Sequence, residues 1–545
     1  MATLHQLETI ILLFAAVLAL TTVARTILIP YPILLVIGGL GLELIPGLPV
    51  VRLDPELVFL VFLPPILWAA AYFTSWRDFR ANARPISLLA VGLVLATTAA
   101  VTAVAHAVLP GLGWATAIAL GAIVSPPDAV AATAISRQLK IPHRIVTILE
   151  GESLVNDATA LILYRTAIAA AVGGVFVLSH TLLQFVLAAA VGITAGLLVG
   201  ALARWILGRT NDSFSEIAVT LLCPYFAWVL AEQFHASGVL ACVAGGLYLR
   251  RHFSELVTPA TRIQAKAVWN LLIFLLNGMI FILIGLQLGE LGHSIPAGQL
   301  GSVIRIGALV SITAITVRLV WVPLAAWIPR VLSPALRERD PMPSWKALFL
   351  IGWTGMRGIV TLAGALALPL MTDAGVPFPH RAEIILITFS VILATLVVQG
   401  LSLAPLIRWL KLEEDRTLER EEMRAREHAA TAGLLRLEEL AGGGGGELAP
   451  EQIEQLRTLY DQRRQRYAWP RAVAPDCTTE ADRAFKRLRH ETLTAERRAL
   501  IDFRNKGIIS DEVLHRLEHE LDVEALRLGI GEERKTERQK LESGK

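Results

Sequence analysis

The sequence predicts an all-α polytopic membrane protein with a helical, charged tail. The chain has 545 residues, of which 54% are hydrophobic and 18% charged, and its mean hydropathy is +0.56. Apolar stretches of ~20 residues, the length that a ~30 Å hydrocarbon core requires, follow one another to residue 411. Charge is confined mainly to the short loops between them and to everything beyond. A transmembrane domain over 1–411 and a cytoplasmic tail over 412–545 follow from that shift.

In order, the spans read as roughly 7–24, 27–45, 57–73, 86–109, 114–136, 146–170, 181–207, 214–233, 237–249, 267–288, 303–329, 346–370 and 383–407, about thirteen in all. The first has no basic flank and no small-residue cleavage site, so it reads as a mature helix and not a signal peptide. Pro30 and Pro32 interrupt the second, and the ninth is short. Lys and Arg mark cytoplasmic loops. With the N-terminus outside, Arg25, Arg77, Arg80, Arg84, Arg137, Lys140, Arg144, Arg204, Arg209, Arg250, Arg251, Arg262, Arg330, Arg337, Arg339 and Lys411 all fall inside. One span more or fewer would scramble this alternation. Trp68, Trp76 and Trp114 read as interfacial anchors at span ends, and Arg165, near the outer end of its helix, is expected to snorkel.

The C-terminus is then cytoplasmic. Gly442 to Gly446 reads as a flexible linker. After a Ser510 cap, Leu514, Leu517, Leu521 and Leu528 recur at helical spacing and predict an amphipathic helix. Cys223, Cys242 and Cys477 have no paired spacing, which speaks against disulfides and zinc. His515 and His519 lie on a polar surface without a further ligand. The net charge of +3 is accounted for by topology and implies no nucleic acid. No cofactor is expected.

The informative residues are the charges inside the spans. An ionisable side chain at mid-membrane is expensive and marks a functional site by default. At ~1.5 Å per helical residue, Asp128 lies about 13 Å, Asp157 about 16 Å, and Arg318 and Arg357 each about 17 Å from the cytoplasmic ends of their spans. Four helices thus place charge at one level. Glu152 and Asn156, like Ser153 and Asp157, are four apart and form a polar stripe on the sixth span. Acids Asp128, Glu152 and Asp157 face arginines that keep their protons. Pairing both arginines leaves about one carboxylate to take up a proton or hold a cation. A monovalent cation suits so few carboxylates better than a divalent one.

Broken backbone supplies further oxygens. Pro126 and Pro127 remove donors and disfavour helix before them. Gly352-Trp-Thr-Gly-Met-Arg-Gly358 is a comparable weak point in the twelfth span. Spans five and twelve run in opposite directions, as expected of inverted repeats whose discontinuous helices cross at the midplane.

Together, Ser125-Pro-Pro-Asp-Ala-Val-Ala131, Gly151-Glu-Ser-Leu-Val-Asn-Asp157 and Gly355-Met-Arg-Gly-Ile-Val-Thr361 resemble the monovalent cation:proton antiporter-1 family, the NhaP/NHE-type Na+/H+ exchangers. The resemblance covers about residues 1–411. It implies thirteen helices, a homodimer in the plasma membrane, an elevator-like alternating-access mechanism, and a role in pH and sodium homeostasis. It assigns Asp157 as the ion- and proton-binding carboxylate, Asn156 as its partner, Asp128 as the acid of the unwound helix and Ser153 as a further oxygen ligand. Na+ is the first expected cargo, with K+ or Li+ as alternatives. Glu152 would form a structural ion pair with Arg318 or Arg357. The family's Thr-Asp-Pro motif is changed here, with Pro127 in place of threonine and Ala129 in place of proline, so a hydroxyl is lost and the break moves upstream. The Asn-Asp pair implies one titrating group and electroneutral exchange.

An intramembrane aspartyl protease could also place two acids on adjacent helices. Neither Tyr-Asp nor Gly-x-Gly-Asp surrounds Asp128 or Asp157, and such an enzyme leaves the arginines unexplained. A channel or sensor lacks any filter-like repeat, and residues 412–545 carry no catalytic signature.

Overall fold

The computed structural model describes the chain except for residues 1, 28–29, 44–57, 129–140, 174–177, 211, 294–296, 374, 412–416, 443–449, 468–479, 507, 509–510 and 528–545. Arg137, Lys140, most of the glycine run, Cys477, Ser510 and Leu528 therefore lie outside the described residues, as do the side chains of His515 and His519. The protein is all-helical; among the described residues the one β contact is an isolated bridge between Met371 and Pro377. It forms two compact units, Met1–Asp415 and Arg416–Lys545.

In the first unit the helices are α1 (Ala2–Ile27), α2 (Tyr31–Glu43), α3 (Leu63–Phe73), α4 (Ala83–Val108), α5 (Trp114–Val124), α6 (His143–Gly173), α7 (Leu178–Leu207), α8 (Ser213–Gln233), α9 (Gly238–Leu256), α10 (Pro259–His293) and α11 (Ala297–Leu332). The split segment α12a (Trp345–Trp353) and α12b (Ile359–Leu366) follows, then α13 (Arg381–Leu410). Each apolar segment read from the sequence overlaps a helix among these, in part or in full. Among the described residues seven helices are long and apolar enough to cross a membrane, including α6, α8 and α13.

Differences from the sequence reading have local causes. The fifth segment stops being helical at Val124, because Pro126 and Pro127 cannot continue the ladder. In the twelfth, residues 354–358 are non-helical and divide α12a from α12b. Helix α9 runs on to Leu256, so Arg250 and Arg251 sit in its last turns and not in a loop. Trp68 is not an interfacial anchor. It lies inside α3, is 1% exposed and packs where Gly245 of α9 leaves room for its ring, whereas Trp76 and Trp114 are exposed. Arg165 pairs with Glu232 at 2.6 Å.

Two groups of helices organise this unit. In one, α2 packs on α10, α9 on α3 and α7, and α1 on α2 and α10. The α2/α10 crossing is close because Gly39 meets the Ile282 carbonyl and Gly285 the Val36 carbonyl, where a Cβ would overlap. In the other group α4 packs on α5 and α11, α6 on α5, α11 on α13, and α12b on α5 and α13.

One end of the second group is tied by Asp340, in the connection between α11 and α12a. Its carboxylate accepts from Arg84, from Arg144 at 2.9 Å and from Arg330 at 2.8 Å. Arg144 also donates to Asn82 at 3.0 Å. Three segments read from the sequence as lying on the same side thus meet on one acid. Burial alone would raise the Asp340 carboxyl, but the hydrogen bond and charge of Arg144, with Arg330 and Arg84, hold it below the usual carboxylate range. A depressed folded pKa contributes stability above the ordinary value of ~4 and loses it as pH falls through the folded value. Asp340→Ala should therefore lower the thermal midpoint at neutral pH, at a cost of about 1–3 kcal/mol. Melting curves across pH check this, and the gap from wild type should close in acid.

In the second unit, α14 (Thr417–Gly442) packs on α15 (Pro450–Tyr467), with Gly433 against the Tyr460 ring. There too, α16 (Glu480–Asn505) pairs with α17 (Asp511–Arg527) through Arg489 and Glu524 at 2.5 Å.

Candidate functional site: a carboxylate facing a cavity at two broken helices

The two breaks touch. Asp128 donates its backbone N–H to the Met356 carbonyl at 2.7 Å, joining the end of the α5 break to the α12 break. The Asp128 carboxylate lies against Gly358, the residue before α12b, where a Cβ would overlap it. A negative charge at a helix start is favourable because the first N–H groups there have no intrahelical partner. Gly358→Ala should therefore force the two breaks apart, at a cost of about 1–3 kcal/mol, and slow transport about tenfold. Initial rates at matched expression check it.

The carbonyl ends of the half-helices meet the arginines. Arg357 donates Nε to the Val124 carbonyl at 2.9 Å, at the end of α5, and also donates to Gly355 O. Its backbone N–H donates to the Thr395 hydroxyl at 3.1 Å. Arg318 donates Nε to the Ile351 carbonyl at 3.1 Å, in the last turn of α12a. A cation at the carbonyl end of a helix satisfies freed acceptors and opposes the dipole there. Of the two arginines it is Arg318 that meets Glu152, through a two-pronged contact whose Nη2–Oε2 arm is 2.8 Å. Both side chains are 1% exposed.

On α6, Asn156 donates Nδ2 to the Pro127 carbonyl at 3.0 Å, satisfying an acceptor that the prolines left free. Its Oδ1 is buried with no hydrogen-bond partner among the described residues. One residue on, Asp157 has no hydrogen bond or ion pair among the described residues and lines a cavity of about 420 Å³. Asp128, Ser153, Pro126 and Pro127 line the same cavity. Glu152 and Arg318 do not, since their charges are spent on each other behind it.

Other wall residues carried no role in the sequence reading. Glu150, Asn270, Asn277 and Thr361 also line the cavity. The Oγ1 of Thr361 and the Oδ1 of Asn277 are buried without partners among the described residues. For Asn270 and Asn277 the signal that could have found them is their spacing with Phe274, which puts all three on one face of α10.

A carboxylate facing a cavity, with the Asn277 and Thr361 oxygens unpartnered among the described residues and the Arg318–Glu152 pair outside its wall, is chemistry for holding a small cation or a proton. The sodium/hydrogen exchanger transmembrane family model matches residues 11–409. The chain belongs to this family. A Mycobacterium tuberculosis protein named as an uncharacterized Na+/H+ exchanger is 35% identical over 531 residues, covering 96% of each chain. A Bacillus pumilus sodium, potassium, lithium and rubidium/H+ antiporter is 34% identical over 389 residues, covering 70% of this chain and 58% of that one. The solved structure of the sodium/proton antiporter MjNhaP1 from Methanocaldococcus jannaschii shares the fold, with a TM-score of 0.57 over 75% of this chain and 100% of that one, at 18% identity. The sodium/hydrogen exchanger described here is thus a multi-pass membrane antiporter of cations and protons and not an enzyme, which disposes of the aspartyl-protease reading.

Proposed function

We propose that this exchanger moves one monovalent cation, Na+ before K+ or Li+, against one proton at a single carboxylate, Asp157. One observation carries the proposal: Asp157 faces the cavity with no hydrogen-bond or ion-pair partner among the described residues, while Glu152 is bound to Arg318. A buried carboxylate in that setting must hold either a proton or a cation. Binding one expels the other, and alternation of access then couples the two fluxes. Ser153 and Asp128 would supply further oxygens, Asn156 would hold the α5 break in place, and Glu152 with Arg318 would be a structural pair. Arg357 would serve the freed Val124 carbonyl and not the ion.

The separation into an α1–α3 and α7–α10 group and an α4–α6 and α11–α13 group supports an elevator-like movement, the second group carrying the site past the first. The opposed breaks in α5 and α12 support inverted repeats within thirteen spans. The arginine alternation supports an external N-terminus and a cytoplasmic C-terminus in the plasma membrane. A homodimer, contact with membrane lipid, and a role in pH and sodium homeostasis belong to the same reading.

A neutral cycle has a direct test. In proteoliposomes with an outward Na+ gradient, clamping the membrane potential at values 100 mV apart should leave proton uptake unchanged. One net charge per cycle would bias it by about 2.3 kcal/mol, and such a bias would show the 1:1 stoichiometry to be wrong.

A further inference from the structure

Helix α10 contributes part of the wall of the cavity that Asp157 lines. Asn270, Phe274 and Asn277 line it from one face of that helix. The residue after Asn277, Gly278, lies against Val17 of α1, and Gly285 two turns on is locked against α2. Asn277 therefore belongs to the helix group that does not carry Asp157. It is 4% exposed, and its Oδ1 is a buried acceptor with no hydrogen-bond partner among the described residues. An orphaned amide oxygen in a protein interior carries a desolvation cost of about 1–3 kcal/mol. A cation in the cavity would relieve it.

We propose that Asn277 Oδ1 is a cation ligand supplied across the cavity, and that it sets cation affinity and selectivity on the one face of the protein to which the cavity opens. The proposal rests on the exchange reading above and adds a ligand to it. An amide oxygen is a neutral hard donor of the kind that replaces water around Na+ or Li+. Having no titratable proton, it changes the affinity for the cation and leaves proton binding at Asp157 alone. The cavity wall reaches Phe73, the last residue of α3 before Arg77, Arg80 and Arg84, and Glu150, in the second turn of α6, so its access is assigned to the face that carries those arginines. When the α4–α6 group moves, Asp157 leaves Asn277 behind. The ligand is thus present on one side of the cycle only.

The experiment compares everted with right-side-out vesicles, measuring the apparent half-saturation for Na+, Li+ and K+ in wild type, Asn277→Leu and Asn277→Asp. Asn277→Leu keeps the branched shape of the side chain and removes the oxygen. It should raise the Na+ half-saturation about tenfold on the arginine-bearing face, the equivalent of ~1.4 kcal/mol, and change the Na+/K+ ratio there. The opposite face should stay within about twofold of wild type. Asn277→Asp, which keeps an oxygen, should hold or tighten Na+ on the same face. Equal weakening on both faces, no change in Asn277→Leu, or weakening in Asn277→Asp as large as in Asn277→Leu would each overturn the proposal. If Asp157→Asn instead transported like wild type, it is the exchange reading that fails.

Discussion

Asp157→Asn should abolish cation-driven proton movement in everted vesicles while leaving the protein folded. The substitution keeps the shape of the side chain and removes the only state that can exchange a proton for a cation. Asp157 has no described protein partner, so its neutral replacement strands no opposite charge. The expected loss is at least about a hundredfold in initial rate, because a cycle without its charged intermediate has no coupled route and a ~3 kcal/mol deficit already reaches that size. Dequenching of a pH probe after addition of Na+, K+ or Li+ measures it, and normal thermal stability in detergent would separate loss of transport from loss of fold.

Arg318→Met should do the opposite, losing stability first and transport as a consequence. Arg318 and Glu152 are each 1% exposed and joined through both arms of the guanidinium. Removing one partner of a buried pair leaves the other charge without compensation, at a cost of about 3–5 kcal/mol. The Ile351 carbonyl at the end of α12a also loses the Arg318 donor and keeps the Thr354 hydroxyl at 3.1 Å. The paired variant Glu152→Gln with Arg318→Met should recover part of that loss, because two neutral groups strand no charge. It should not recover all of it, since the Ile351 carbonyl then keeps only the Thr354 hydroxyl as a donor. A thermal shift series over wild type, the single variants and the double variant checks the order. If Arg318→Met were as stable as wild type, the pair would not be structural.

Much of the frame was legible in the residues. Apolar segments of membrane length located the helices, and the prolines and glycines of 125–128 and 352–358 located both breaks, because backbone chemistry is local. The stripe of Glu152, Ser153, Asn156 and Asp157 was legible for the same reason, since helical spacing alone puts them together. The choice between Arg318 and Arg357 as partner of Glu152 was not, for both lie at the same depth and only packing separates them. Trp68 misled because a tryptophan near a span end satisfies the interfacial pattern, and nothing along the chain announces that Gly245 makes room for it. Asn277 was passed over, and Thr361 was quoted in a motif without a role, because a single amide or hydroxyl in an apolar helix is unremarkable until the packing leaves its oxygen without a donor among the described residues.

The central claim is that cation and proton compete for Asp157. The apparent half-saturation for Na+, measured in proteoliposomes at a series of pH values, tests it most directly. Competition for one carboxylate predicts that, on the acid side of the profile, each unit fall in pH raises the half-saturation about tenfold and leaves the rate at saturating Na+ unchanged. A half-saturation that stays constant while the maximal rate falls would contradict the account, because proton and cation would then occupy different groups.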